Sequence, residues 1–319
     1  MIVLENKKNN KIKRIIKKNV IAWTIALPSI ALFLFFVFVP LLQNIIYSFQ
    51  VTEGGTTSVS LENYEWIFSD DRFIASIQNT FIYILWSLVI GFLIPFIIGF
   101  LLSEAFHLKG LFRLIIYFPC MISGIAVVTL FKYFLDPDLS IINKIIVAFG
   151  GEPNSLTSDQ NLVIPLIVLA MTWKGAGQTS LIYLSNFQQI DSSLYEASRI
   201  DGASISQRFF HITIPQMKNT LITLFVLQII SVFQVFYEPW VISGGGPINS
   251  SVSMMLYAYE QGIMNGDVNR GAAASVILML FILVFTLIYY AIVNLLNGKP
   301  LINLGFHRVK KNDVKVSAR

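Results

Sequence analysis

A single cysteine, Cys120, in 319 residues excludes an intrachain disulfide framework and a thiolate metal site. Sitting within a hydrophobic run, it reads as a small buried apolar residue. Charge is scarce as well, with 13% of residues Asp, Glu, Lys or Arg against 55% hydrophobic. No soluble core needs that much apolar surface, so the composition is that of a polytopic membrane protein. Catalytic signatures are missing too. No G-x-x-x-x-G-K-[ST] phosphate loop occurs, since Gly298-Lys299-Pro300 lacks the upstream Gly and the hydroxyl residue. No H-E-x-x-H or G-x-S-x-G appears, and His107, His211 and His307 are scattered. The run Gly244-Gly245-Gly246-Pro247 has no Lys and reads as a reverse turn.

Six stretches are close to the roughly 20 apolar residues a helix needs to cross hydrocarbon. They run about Ala22 to Leu42, Thr80 to Leu102, Arg113 to Phe131, Leu162 to Leu184, Leu221 to Ile242 and Ala272 to Leu296. Lys174 interrupts the fourth, and the first is too long for a signal-peptide core. Residues 1–19 carry seven basic residues from Lys7 to Lys18, and residues 299–319 carry six from Lys299 to Arg319. By the positive-inside rule both termini are cytoplasmic, flanking a six-helix transmembrane domain over 20–298. Lys109, Arg113, Arg199, Arg208 and Lys218 fall in loops on the same side, while Glu53, Glu62, Glu65, Asp70, Asp71, Asp136, Asp138, Glu152 and Asp159 fall on the other. The net charge of +5 therefore reflects topology and anionic lipid, not nucleic-acid binding.

Between spans four and five lies a polar segment, residues 191–215. Leu194 to Ile200 reads as a short helix with Asp191, Ser192 or Ser193 as N-cap, ended by Gly202. A second helix is expected from Ser204 or Ser206 to a stop or bend near Pro215, which has no amide hydrogen to donate. Such a rigid knob can transmit force between two spans. An amphipathic helix lying on the bilayer with Phe209, Phe210, Ile212 and Ile214 as its apolar face is the alternative, but it explains neither the Glu nor the Gly spacing.

The stretch Tyr195-Glu196-Ala197-Ser198-Arg199-Ile200-Asp201-Gly202-Ala203 resembles the Y-E-A-A-x-I-D-G-A of the EAA loop in membrane subunits of binding-protein-dependent ABC importers. Phe209 to Pro215 is similar to the F-x-x-I-T-x-P that follows, and Ser243 to Pro247 to the T-G-G-P turn after the fifth core helix. The likeness covers the chain from the first span onward and is nearest the carbohydrate-uptake branch, relatives of the maltose-transporter membrane subunits. Ser198 replaces the second Ala and Ile214 the usual Leu.

The resemblance implies an all-α, six-helix type I ABC importer permease in a bacterial or archaeal cell membrane. A second permease subunit, different in that branch and hence a heterodimer, two cytoplasmic ATPases holding ATP and Mg, and an extracytoplasmic solute-binding protein would complete it. The chain itself would carry no cofactor. Tyr195, Glu196, Ala197, Ser198, Asp201, Gly202 and Ala203 would form the coupling helix and turn, with Glu196 facing a basic residue of the ATPase. The implied solute is a sugar or oligosaccharide; a polyol or glycerol phosphate ester suits the same build, and a membrane scaffold or receptor also satisfies six spans without catalytic motifs.

Polar residues inside the spans mark a candidate solute pathway. Gln228, Ser231, Gln234 and Glu238 follow at intervals of three, three and four, on one helical face. With Phe233, Tyr237 and, from span four, Trp173, they offer amides and rings to a sugar. They serve equally as hydrogen-bonding glue between helices. Lys174 either lines the pathway or ties helices together, and Glu238 sits near the outer end of its span.

The topology predicts that residues 44–78 and 132–160 face outward and 185–219 inward. A cysteine placed at Ser58 should react with an impermeant thiol reagent on intact cells while one at Gln207 does not. The reverse pattern refutes the orientation.

Overall fold

The computed structural model describes residues 20, 23–53, 56–104, 109–136, 141–152 and 156–296. The basic ends, residues 1–19 and 299–319, together with His107, Asp138 and His307, lie outside the described residues. The described residues divide into two compact units, which part between Leu278 and Met279.

The first unit opens with α1 (Trp23–Ser48), whose membrane-length window is 0% buried within the chain. An antiparallel hairpin follows, β1 (Gln50–Glu53) and β2 (Thr56–Val59), with Val51 opposite Ser58. An all-α reading overlooks it, although β-branched residues flanking Gly54-Gly55 carry a hairpin signal. Helix α2 (Glu62–Ser69) then leads into α3 (Asp71–Glu104), where the Asp70 carboxylate caps the first turn by accepting the Arg72 amide at 2.9 Å.

The third span is not one rod. Helices α4 (Lys109–Met121) and α5 (Gly124–Leu135) meet at 96° across Ile122-Ser123. Pro119 removes an amide hydrogen in the last turn of α4, and Ser123 leaves helical geometry at ψ 137°. A short α6 (Ile141–Ala148) precedes α7 (Val163–Phe187), long enough to span but diluted by Thr172, Lys174, Gln178, Thr179 and Ser180. Next come α8 (Ser192–Ile200) and α9 (Ile205–Phe233). The expected stop or bend near Pro215 is absent as a break. A π-helical turn over Phe209–Thr213 widens the backbone just ahead of Pro215, and the helix runs through.

Span five does end early. Helix α9 stops at Phe233, and α10 (Tyr237–Ile242) is a separate piece. Glu238 therefore does not continue the face of Gln228 and Ser231, a correction to the even spacing read from sequence. Helix α11 (Met254–Tyr259) and the π-helical turn Glu260–Met264 follow, and α12 (Val268–Leu296) begins in the first unit. From Met279 onward this same helix supplies the described part of the second unit. Among the described residues four helices are long and apolar enough to cross a membrane, or five if α4 and α5 make one span.

Helix α7 is the hub of the first unit. One apolar cluster joins Tyr83, Val128, Ile164, Ile167, Val232 and Ile242, and another joins Phe96, Tyr183, Phe187 and Met217. Close approach uses glycine. A Cβ on Gly177 would stand 2.2 Å from the Ile116 carbonyl oxygen of α4, whereas one on Gly175 would meet nothing within 4 Å. Outside the clusters, polar contacts fasten the segment after α10 to α3. Asn79 donates to the carbonyls of Asn249 (2.6 Å) and Val252 (3.0 Å), Thr80 accepts the Met254 amide (3.1 Å), and Tyr83 donates to the Ser251 carbonyl (3.0 Å). Arg72 pairs with Glu260 at 2.6 Å and also donates to Asn249. The Tyr257 hydroxyl, its pKa pushed up by burial and by neighbouring Asp70, stays protonated and donates to that carboxylate at 2.7 Å.

Gly177→Ala should overpack the α4–α7 contact and lower stability by about 1 to 3 kcal/mol. Thermal unfolding in detergent should show a clear loss for Gly177→Ala and none for Gly175→Ala; equal stability of the two would disprove the close contact.

Candidate coupling loop and solute cavity

The 191–215 segment is built from local capping. The Asp191 carboxylate accepts the Ser193 amide at 2.9 Å, and that bond holds its pKa below the ordinary carboxylate value. The cap is therefore present above the usual carboxylate range and is lost as pH falls through the lowered value. At the other end, the Ala203 amide donates to the Ser198 carbonyl (2.9 Å) and the Gly202 amide to that of Arg199 (3.1 Å). This is a Schellman closure, and Gly202 supplies its φ of +76°. Ser204 and Gln207 form a reciprocal capping box that starts α9. The Tyr195 and Thr213 hydroxyls lie 2.8 Å apart and tether α8 to α9.

The predicted coupling residues thus form one contiguous knob. Glu196, Ala197, Asp201 and Gly202 are exposed, while Tyr195, Ser198 and Ala203 are half-buried at its base. Nothing lies within 4 Å of where a Gly202 Cβ would be, so the turn is open to an approaching surface. Sequence reading did not single out Gln207 or Thr213. The Ser-x-x-Gln spacing of the capping box was available for the first, and the Thr of the F-x-x-I-T-x-P match for the second, although neither names Tyr195 as the partner of Thr213.

The predicted pathway residues separate. Gln228 and Ser231 line a cavity of about 310 Å³ between α3, α7 and α9, together with Ser87, Gly91, Gln178 and Thr179. Gln228 donates to the Ser87 hydroxyl at 2.7 Å, and its amide lies where a Gly91 Cβ would be, at 2.7 Å. Ser87 and Gly91 fall in a π-helical turn, Ser87–Phe92, that shifts the register of α3 at this depth. Gln234 is exposed and turns back onto the Ile230 carbonyl at 3.2 Å. Phe233 is 2% exposed and packs edge-on to Phe81, so in this conformation it packs helices instead of presenting a ring. Trp173 lies beside Phe131, and the Lys174 ammonium sits against Gly124, at the break between α4 and α5. Tyr237 and Glu238 stand on α10, away from the α9 stripe. Ser87, Gly91, Gln178 and Thr179 escaped sequence reading, although polar and small residues within apolar runs were the available signal.

A bundle of apolar helices with a polar cavity inside and an exposed, rigidly capped knob outside defines a membrane transport component. Residues 91–299 match the family described as "Binding-protein-dependent transport system inner membrane component", and the chain belongs to that family of the inner membrane. Among its relatives, the arabinooligosaccharides transport system permease protein AraP of Halalkalibacterium halodurans is 32% identical, over 85% of this chain and 86% of that protein. The lactose transport system permease protein LacF of Rhizobium radiobacter is also 32% identical, over 75% and 82%. The fold matches one chain of a bacterial alginate ABC transporter solved with an alginate pentasaccharide-bound periplasmic protein, with a TM-score of 0.80, 22% identity and coverage of 90% and 98%.

Gln228→Leu should strand the Ser87 hydroxyl and cost about 0.6 kcal/mol, the mean for such bonds between membrane helices. Gln234→Leu, which breaks no contact between helices, should leave thermal stability unchanged. If both variants unfold at the wild-type temperature, Gln228 is not a tie between α3 and α9.

Proposed function

We propose that this ABC importer permease moves a sugar or oligosaccharide inward. The observation that carries the reading is the polar cavity between α3, α7 and α9, where amides and hydroxyls of Ser87, Gln178, Thr179, Gln228 and Ser231 face one another at membrane depth. Such groups suit a solute rich in hydroxyls, and the names of the relatives agree. Exposed Gln234 and half-exposed Trp173 and Tyr237 would serve at the edges of the route, with Lys174 and Glu238 as its charged groups and Phe233 as packing.

The bent pair α4–α5 and the polar α7, added to the four apolar helices, would complete six spans. Basic residues at both ends of the sequence support a cytoplasmic position for both termini. With no phosphate loop in the sequence, two separate ATPases would bind ATP and Mg and dock on α8, with Glu196 meeting a basic residue and Gly202 allowing close contact. An unburied α1 offers a surface for a second, different permease subunit. A solute-loaded binding protein would dock outside.

Purifying the assembled transporter with its binding protein and measuring which solute stimulates ATP hydrolysis tests the reading. A neutral sugar should stimulate; stimulation only by a polyol or glycerol phosphate ester would reassign the solute, and none at all would favour a scaffold. For the coupling knob, Gly202→Asp should cost the chain itself only about 1 to 2 kcal/mol in backbone strain. Glu196→Ala should leave a partner charge unpaired, a loss of about 2 to 5 kcal/mol when such a pair is buried. Both should insert normally yet abolish transport. Wild-type uptake by both would remove α8 from the coupling role.

A further inference from the structure

Helix α8 has two unlike sides. Helical spacing sets Leu194, Ala197 and Ile200 toward one side, and Ile200 is 88% exposed there. The opposite side, with Tyr195, Glu196 and Arg199, lines a cavity of about 480 Å³ closed by the last turn of α3, the end of α7 and the start of α9. Its floor is aromatic, with Phe100 edge-on to Phe187 at 5.7 Å and to Phe209 at 5.8 Å. Its walls carry four charges: Glu104, Glu196, Arg199 and Arg208.

Among the described residues the ion pairs are Arg72–Glu260 and Arg270–Asp267, so none of these four is paired. Two carboxylates and two guanidiniums share one cavity without meeting. Left in water each gains little, but a partner that covered the cavity would strengthen every contact by excluding solvent.

We infer that the cavity is a socket for a segment of the ATPase bearing a cation and an anion side by side, the cation meeting Glu104 and Glu196 and the anion meeting Arg199 and Arg208. The inference rests on α8 as the coupling element and adds a second route into the membrane. A small anion or lipid headgroup would satisfy the arginines and leave the carboxylates unmet; a peptide of mixed charge satisfies both. Glu104 is the last residue of α3, the helix whose Ser87 and Gly91 border the polar cavity. Force applied at Glu104 enters that helix directly, without passing through the α8 turn or the Tyr195–Thr213 contact.

The test uses the full transporter in a Cys120→Ser background, with Ser103→Cys reporting the socket and Ile200→Cys the open side of α8. Inside-out vesicles are labelled with an impermeant maleimide, with the ATPase in place and after it has been stripped away. Protection of both positions by the ATPase supports the socket. Protection at 200 but not at 103 keeps α8 as the docking knob and overturns the socket; protection at neither overturns both. Glu104→Gln should lower solute-stimulated ATP hydrolysis about tenfold at limiting ATPase, equivalent to ~1.4 kcal/mol, and excess ATPase should restore it. No loss, or a loss that excess ATPase leaves in place, counts against the socket.

Discussion

The lack of a side chain at Gly177 lets α7 pack against the Ile116 carbonyl of α4, and the rest of the first unit is arranged around α7. Hydrocarbon supplies no hydrogen bonds, so a helix can break inside it only where protein covers the freed groups. The α4–α5 break at Ile122-Ser123 lies against α7. There the Cys120 thiol donates to the Lys174 carbonyl at 2.9 Å, and the Lys174 ammonium reaches Gly124. A side chain at 177 would push the two helices apart and open that break to lipid.

The same constraint explains how polar chemistry is tolerated at depth. The π-helical turn in α3 brings the Ser87 hydroxyl to Gln228 and puts Gly91 where the Gln228 amide needs room. A second π-helical turn, in α9, lets Pro215 stay inside a continuous helix that begins at the capped knob and ends beside the polar cavity. Helices α3 and α9 are thus both registered by a local widening, and each links the loop region near α8 to that cavity. The contacts of Asn79, Thr80, Tyr83 and Arg72 with residues 249–260 fix the opposite end of α3.

The capped knob at 191–215 was legible because it is local. Its N-cap, its Gly at positive φ and its second-helix start are set by residues within a few positions of one another, so capping rules recover them from Asp191, Gly202 and Ser204 alone. The grouping of the polar residues was legible only in part. Even spacing from Gln228 to Glu238 assumes one unbroken helix, yet α9 ends at Phe233 and the segment after it is held by Ser253, whose hydroxyl donates to the Val235 carbonyl at 2.6 Å. That partner is distant in sequence, and no local pattern announces it.

Sequence by itself determined that the chain lives in a membrane, where its apolar runs lie, which ends are basic, and that a capped Glu-Ala-x-x-x-x-Gly-type knob interrupts the runs. These follow from composition, charge and short-range hydrogen bonding, which act over a turn or two of helix. Tertiary structure decided which polar residues face one another. Ser87 of α3, Gln178 of α7 and Gln228 of α9 share a cavity, and Glu104 shares another with Glu196, only because glycine contacts and π-helical turns set how close and at what rotation the helices pack. Rotation of a helix about its axis in an apolar medium is chosen by packing against its neighbours, and the pattern along a single span does not specify it.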